Sequence, residues 1–189
     1  MLAQIGLFII ETISGFLIFI FLLRFYAFAC KVNLSAIGYQ SQFFIYAMSD
    51  WAVLPLRRLM PRLARVDLAS FFPALFFEVT SAIAASLLLG SSWLFDPIYI
   101  AISAVLQLVV HAINGLMGMV IIYAVLGWIQ PHSPIHALFA KLCEPFLQPL
   151  RQRLPLIGGI DLSAFIALMI FQIALMVSQS MRFHLVSSI

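Results

Sequence analysis

Pro55-Leu56-Arg57-Arg58-Leu59-Met60-Pro61, followed by Asp67, returns later in the chain as Pro149-Leu150-Arg151-Gln152-Arg153-Leu154-Pro155, followed by Asp161. The spacing is Pro-Leu-Arg, three residues, Pro, five residues, Asp in both copies, at a constant offset of 94 residues. An apolar run begins directly after each Asp. A repeat of this length in so apolar a chain predicts two copies of one small membrane unit, residues 1–95 and 96–189.

Working outward, the composition agrees. The chain is 64% hydrophobic and 9% charged, against about 45–50% and about 25% in soluble domains. So few charges cannot cover so much apolar side chain in water, and the bilayer is the expected solvent. A formal charge of +3 is too small to argue for nucleic-acid binding. Met1 to Gly6 carries no basic residue and the first apolar run continues to Phe28, so it reads as a retained span rather than a cleavable signal. Cys30 and Cys143 form no Cys-x-x-Cys pattern. Covalent haem and zinc are unsupported, and no cofactor is expected.

Four segments are long enough to cross about 30 Å of hydrocarbon: roughly residues 5–28, 68–89, 98–128 and 162–180. Asp67 and Asp161 open the second and fourth, and Asp96-Pro97 opens the third as N-cap and first helical residue. Pro131 stops the third. Eight of the ten Lys and Arg lie in the two long connections, namely Lys31, Arg57, Arg58, Arg62, Arg65, Lys141, Arg151 and Arg153. The positive-inside rule places those connections in the cytoplasm and both termini outside, as in a bacterial inner-membrane protein. Arg24, at the end of span one, is expected to snorkel to the headgroups. Two spans per unit return the chain to the same face, so the repeats are parallel.

The connections mix Phe, Ile, Leu and Met with basic residues, which suits amphipathic helices in the interface. Pro55 and Pro149 are expected to break each into two pieces. The repeated motif has a structural reading: Pro61 and Pro155 end the interfacial helix, Asp67 and Asp161 cap the next span, and Arg57 and Arg151 meet lipid phosphate or their own repeat's Asp. It also has a functional reading, in which Pro55, Arg57, Arg58, Pro61 and Asp67, with Pro149, Arg151, Arg153, Pro155 and Asp161, form a lipid- or partner-binding surface.

Asp50 through Pro61 and on to Ser70, together with Ser133-Pro134, Glu144 through Arg151, Pro155 and Gly158 through Ser163, resemble the YGGT repeat of the YggT/YlmG family. The likeness covers nearly the whole chain. Leu23-Arg24-Phe25-Tyr26 and Gly127-Trp128 resemble the point where each repeat leaves its first span. Repeat one lacks an Asn-Pro or Ser-Pro after that span, and Gln152 replaces the second Arg in repeat two. The resemblance implies a small integral membrane protein linked in bacteria to osmotic adaptation, ion uptake or envelope organisation. In plastids it implies a link to assembly of a b-type cytochrome and to nucleoid distribution.

Polar residues within the spans carry the remaining signal. Ser103, Gln107, His111, Asn114 and Gly118 recur at helical spacing on span three, Glu11 lies in span one, Glu78 in span two, and Gln172 and Gln179 in span four. Such groups are expected to face the bundle interior. They serve either as interhelical glue or as an ion or proton path through Glu11, Glu78 and His111. No phosphate loop, His-Glu-x-x-His or Gly-x-Ser-x-Gly is present, so no enzyme is expected. Two functions remain. One is a scaffold or assembly factor binding membrane-protein partners or anionic lipid. The other is a small cation-permeation or salt-stress protein, which four spans imply would be oligomeric.

Overall fold

The computed structural model describes residues 2–32, 39–59, 67–89, 97–152 and 162–187, and every regular element among them is α-helical. The helices are α1 (Leu2–Ala29), α2 (Tyr39–Leu59), α3 (Leu68–Leu89), α4 (Pro97–Ile129), α5 (Pro134–Arg151) and α6 (Leu162–Ser187). Four of them, α1, α3, α4 and α6, are long and apolar enough to span a membrane. Their outward faces are apolar, as Phe8, Phe76, Leu87, Ile98 and Phe165 illustrate. That is the inverse of a soluble bundle, and it suits hydrocarbon as solvent.

Span ends agree with the sequence reading to within a few residues; the fourth span is Leu162–Arg182, and its helix α6 continues beyond it to Ser187. The apolar run fades there, but residues 181–187 contain neither Gly nor Pro, so nothing breaks the hydrogen-bonded backbone.

Ring pairs fix the helix directions. Phe21 stacks on Phe77 at 5.9 Å and Phe25 meets Phe71 at 5.8 Å, so α1 and α3 are antiparallel. Between α1 and α4 the sense is opposite. A Cβ on Gly15 would lie 3.4 Å from the His111 ring, and one on Gly115 3.2 Å from the Phe19 ring. Residue numbers therefore climb together along both helices, and the two hairpins are parallel. Phe77 and Phe171, 94 residues apart, each receive an aromatic edge from the connecting helix of their own repeat: Trp51 at 6.1 Å and Phe146 at 5.4 Å.

Each repeat has its own buried cluster. One holds Ile18, Phe21, Val53, Ala69 and Ala74 with Leu108, and the other holds Met119, Val120, Leu138, Leu142, Cys143, Leu147, Ala164 and Ala167 with Ala27. Leu108 and Ala27 are each lent by the other repeat's first helix, which stitches α1 to α4.

The connecting helices are continuous, which corrects the expected breaks at Pro55 and Pro149. α2 contains Pro55, and α5 contains both Pro145 and Pro149. All three prolines face outward, where a carbonyl that loses its amide partner can be solvated instead of stranded in the core. α5 starts as its sequence dictates: the Ser133 Oγ accepts from the His136 amide, and Pro134 takes the first turn. It turns Leu138, Leu142, Cys143 and Leu147 inward. Phe77 lies ten residues after Asp67, so Trp51 touches α3 about 15 Å along its axis. The connecting helices thus lean against the flanks of the spans.

Candidate functional site

The repeated motif is seen in full at its first Arg and Asp. The Asp67 carbonyl accepts from the Ser70 and Phe71 amides at 2.9 and 3.3 Å, opening α3. Its carboxylate accepts from the Ser70 hydroxyl at 2.9 Å and from Arg57 at 2.5 Å. Asp67 is buried and Arg57 about a quarter exposed. Of the two partners expected for Arg57, the repeat's own Asp is therefore the one it meets. Arg58 next to it points outward. In repeat two, Arg151 donates to the Tyr123 hydroxyl and lays its guanidinium over that ring, 5.3 Å from the centroid. Pro61, Arg153, Pro155 and Asp161, and likewise Asp96, lie outside the described residues.

Arg24 corrects the sequence reading. It does not snorkel to the headgroups. Its guanidinium is buried, donating at 2.6 Å to both the Ser49 hydroxyl and the Asp50 carboxylate, and it lies 4.7 Å above the Tyr46 ring. The cause is competition between solvents. A headgroup offers a screened, mobile phosphate, whereas α2 presents a fixed carboxylate, a hydroxyl and an aromatic face together. Ser49 in turn donates to the Ile45 carbonyl at 2.7 Å. A second tie crosses the repeats: the Tyr26 hydroxyl donates to the Leu142 carbonyl at 2.6 Å, and its ring stacks on Phe146. Neither was anticipated. An Arg inside an apolar run, in a chain with only seven acidic residues, was the available signal for the first.

Within the spans, Glu78 on α3 and His111 on α4 come together. Glu78 is buried, with Oε2 3.2 Å from Nδ1 of His111. That nitrogen also lies 3.1 Å from the Gln107 carbonyl. The Gln107 side chain accepts from Arg182 of α6. α4 is thus the hub, joined through polar groups to α3 on one side and α6 on another. Glu11, Asn114, Gln172 and Gln179 depart from the expectation that such residues face inward, since all four are exposed. Glu11 lies on the same stripe of α1 as Ser14 and Ile18, one turn nearer the start of the helix, and is exposed there. Of the proposed trio, Glu78 and His111 are in direct contact, while Glu11 is exposed one turn from the Gly15 that approaches the His111 ring.

On α5, burial pushes the Cys143 thiol up to about 12, with nearby Arg151 opposing. No cluster of three His, Cys, Asp or Glu among the described residues could hold a metal ion. An apolar cavity of about 240 Å³ lies between α1 and α4, lined by Phe19, Tyr26, Phe71, Val109 and Met119 among others.

A duplicated pair of apolar hairpins, each with a connecting helix pinned by an Arg, defines a multi-pass α-helical protein of the membrane type. The family model described as CCB3/YggT matches residues 3–88 and again 102–181. This chain belongs to the CCB3/YggT family. It is 29% identical over 168 residues to a Vibrio alginolyticus relative named "Uncharacterized protein in proC 3'region", covering 88% of this chain and 89% of that one. It is 30% identical over 131 residues to "Uncharacterized protein YggT" of Escherichia coli K12, covering 69% and 67%. A Haemophilus influenzae relative is 30% identical over 135 residues, covering 67% of each chain. No solved structure matches the chain.

Proposed function

We propose that this protein is a non-enzymatic scaffold or assembly factor of the bacterial cytoplasmic membrane. Both termini are outside, and α2 and α5 lie at the inner leaflet, where they dock partner membrane proteins or anionic headgroups. The outward side of α2 carries the proposal. Trp51 and Leu54 are more than half exposed beside the exposed Arg58. The other side of the same helix is pinned to α1 by Asp50 and to α3 by Arg57. Arg58 lies beside Arg57 near the start of α3, while Trp51, edge to face with Phe77, sits deeper. This rigidly held face therefore runs from headgroup level into the hydrocarbon and suits partner anchoring. α5 adds exposed Ile135 and Lys141. Because Arg57 is engaged internally, the basic contact falls to Arg58 and Lys141. The test is crosslinking in native membranes with Trp51→Ala/Arg58→Gln, together with analysis of the lipid retained on purification. Partner adducts or anionic lipid should diminish; if both persist unchanged, the reading is wrong.

A second reading, cation permeation in osmotic or salt stress, is favoured by the Glu78–His111 contact near mid-span. Cation flux into liposomes containing the pure protein should appear, and should fall in Glu78→Gln. Absence of flux in the unmodified protein removes this reading.

A further inference from the structure

Phe165, Met169, Gln172, Met176 and Gln179 on α6 follow one another at spacings of four, three, four and three, and all five are exposed. This is the 3.5-residue rhythm of a helix–helix seam, with glutamine at two successive equivalent positions. α6 packs on α4 and α5 and leaves this side uncovered. Both glutamines lie inside the segment long and apolar enough to cross a membrane, Leu162–Arg182. Among the described residues neither side chain has a hydrogen-bond partner. A carboxamide facing hydrocarbon is costly, and in membranes such groups are satisfied across helices.

We propose that this face of α6 is a parallel homodimer interface, in which Gln172 meets Gln172 and Gln179 meets Gln179 of a second copy. The chemistry selects the occupant. A carboxamide is both donor and acceptor, so it complements itself without any second residue type. Copies inserted with the same topology, related by a two-fold axis along the membrane normal, place identical residues at identical depths. A seam with two self-complementary groups seven residues apart is therefore in register with itself over its whole length. Met169 and Met176 flank Gln172 and supply adaptable apolar packing. No self-complementary pair of this kind recurs on α1 or α4: exposed Gln4 is followed seven residues later by Glu11, and exposed Asn114 by Ile121. Glu11 would set like charges against each other.

This inference is independent of the scaffold reading, and its test uses only the protein in its membrane. Single cysteines are placed along α6 in full-length protein whose Cys30 and Cys143 are changed to Ser and Ala, and native membranes are oxidised. Disulfide-linked pairs of this chain should form at 165, 169, 172, 176 and 179, and not at the equally exposed 173 and 177. Separately, Gln172→Leu/Gln179→Leu, which keeps the helix apolar and inserted, should weaken self-association in liposomes about tenfold, measured by energy transfer on lipid dilution. The proposal is overturned by crosslinks that peak at 173 and 177, by an adduct of Gln172→Cys with a different protein, or by self-association unaffected by the double substitution.

Discussion

Asp50→Asn should destabilise the fold at least as much as Arg24→Met, although it is by far the smaller chemical change. The two side chains meet at 2.6 Å with unequal burial: 5% of Arg24 is exposed and 36% of Asp50. Arg24→Met leaves Asp50 at the edge, where water or headgroups can rehydrate it, and leaves Ser49 bonded to Ile45. The loss is then one or two charge-assisted hydrogen bonds, offset by an apolar side chain of similar length, for about 1–3 kcal/mol. Asp50→Asn instead strands a cation in the core. Its bonds to Ser49 and to the new amide persist, but its counter-charge does not, and breaking a buried pair this way costs about 3–5 kcal/mol. Adding Arg24→Met to Asp50→Asn should therefore restore stability rather than remove more. The measurement is a double-mutant cycle on unfolding in mixed micelles, with proteolysis of the α2 segment as a local readout. The reasoning fails if Asp50→Asn is the milder single change, or if the double variant is the sum of the two.

Helix approach gives a paired expectation. A Cβ at Gly115 meets the Phe19 ring at 3.2 Å, while one at Gly118 meets nothing within 4 Å. Gly115→Val should thus cost about 1–3 kcal/mol by spreading α1 from α4, and Gly118→Ala should be neutral or stabilise by up to about 1 kcal/mol; thermal aggregation in detergent ranks them. Tyr26→Phe removes the hydroxyl that holds the Leu142 carbonyl and should cost about 1 kcal/mol, with α5 becoming the first segment to exchange its amides. Cys143 is buried, its thiol pushed up to about 12, so maleimide at pH 8 should label Cys30 first and Cys143 only on unfolding. Because the folded value lies above the unfolded one, near 8.5, this thiol's contribution to stability is complete below about pH 8.5 and is lost as the pH rises toward 12. Equal labelling of the two thiols in the native protein would show that α5 is not docked.

The spans, their number and the parallel duplication were legible because each rests on a signal that lipid enforces. Hydrocarbon thickness sets helix length, and the 94-residue offset of Pro55, Arg57 and Asp67 from Pro149, Arg151 and Asp161 sets the symmetry. What escaped was which polar group answers which. Pairing depends on the azimuth at which one helix meets another, and a one-dimensional pattern records only spacing. Asp67 was readable as the opener of α3, and Arg57 as one candidate partner beside lipid phosphate, because both belong to one short motif. Arg24 with Asp50, and Tyr26 with Leu142, lie 26 and 116 residues apart. Those contacts exist only once the connecting helices lean on the spans. The prolines misled for a related reason. They do cost a hydrogen bond each, but the cost depends on the side they face, and Pro55, Pro145 and Pro149 all face away from the core.

The polar stripe on α4 illustrates how one spacing can hide several roles. Gln107, His111 and Asn114 share a face in sequence, yet Gln107 answers Arg182 on α6, His111 answers Glu78 on α3, and Asn114 is exposed. A comparable divergence separates the two halves. Residue 78 plus the repeat offset is 172, so buried Glu78 and outward Gln172 are the same position in the two halves. In repeat one that position faces α4 and can hold an ionisable group, because His111 is there to meet it. In repeat two it faces out of the bundle, where an ionisable group would have no partner and a neutral carboxamide is the costliest group readily accommodated. The two halves have thus diverged at one equivalent site according to what each side of the bundle offers. A swap separates this account from chance: Glu78→Gln/Gln172→Glu should insert poorly or unfold more readily than Glu78→Gln alone. If the swapped protein is as stable as the single variant, the environments of the two positions are not the cause of their difference.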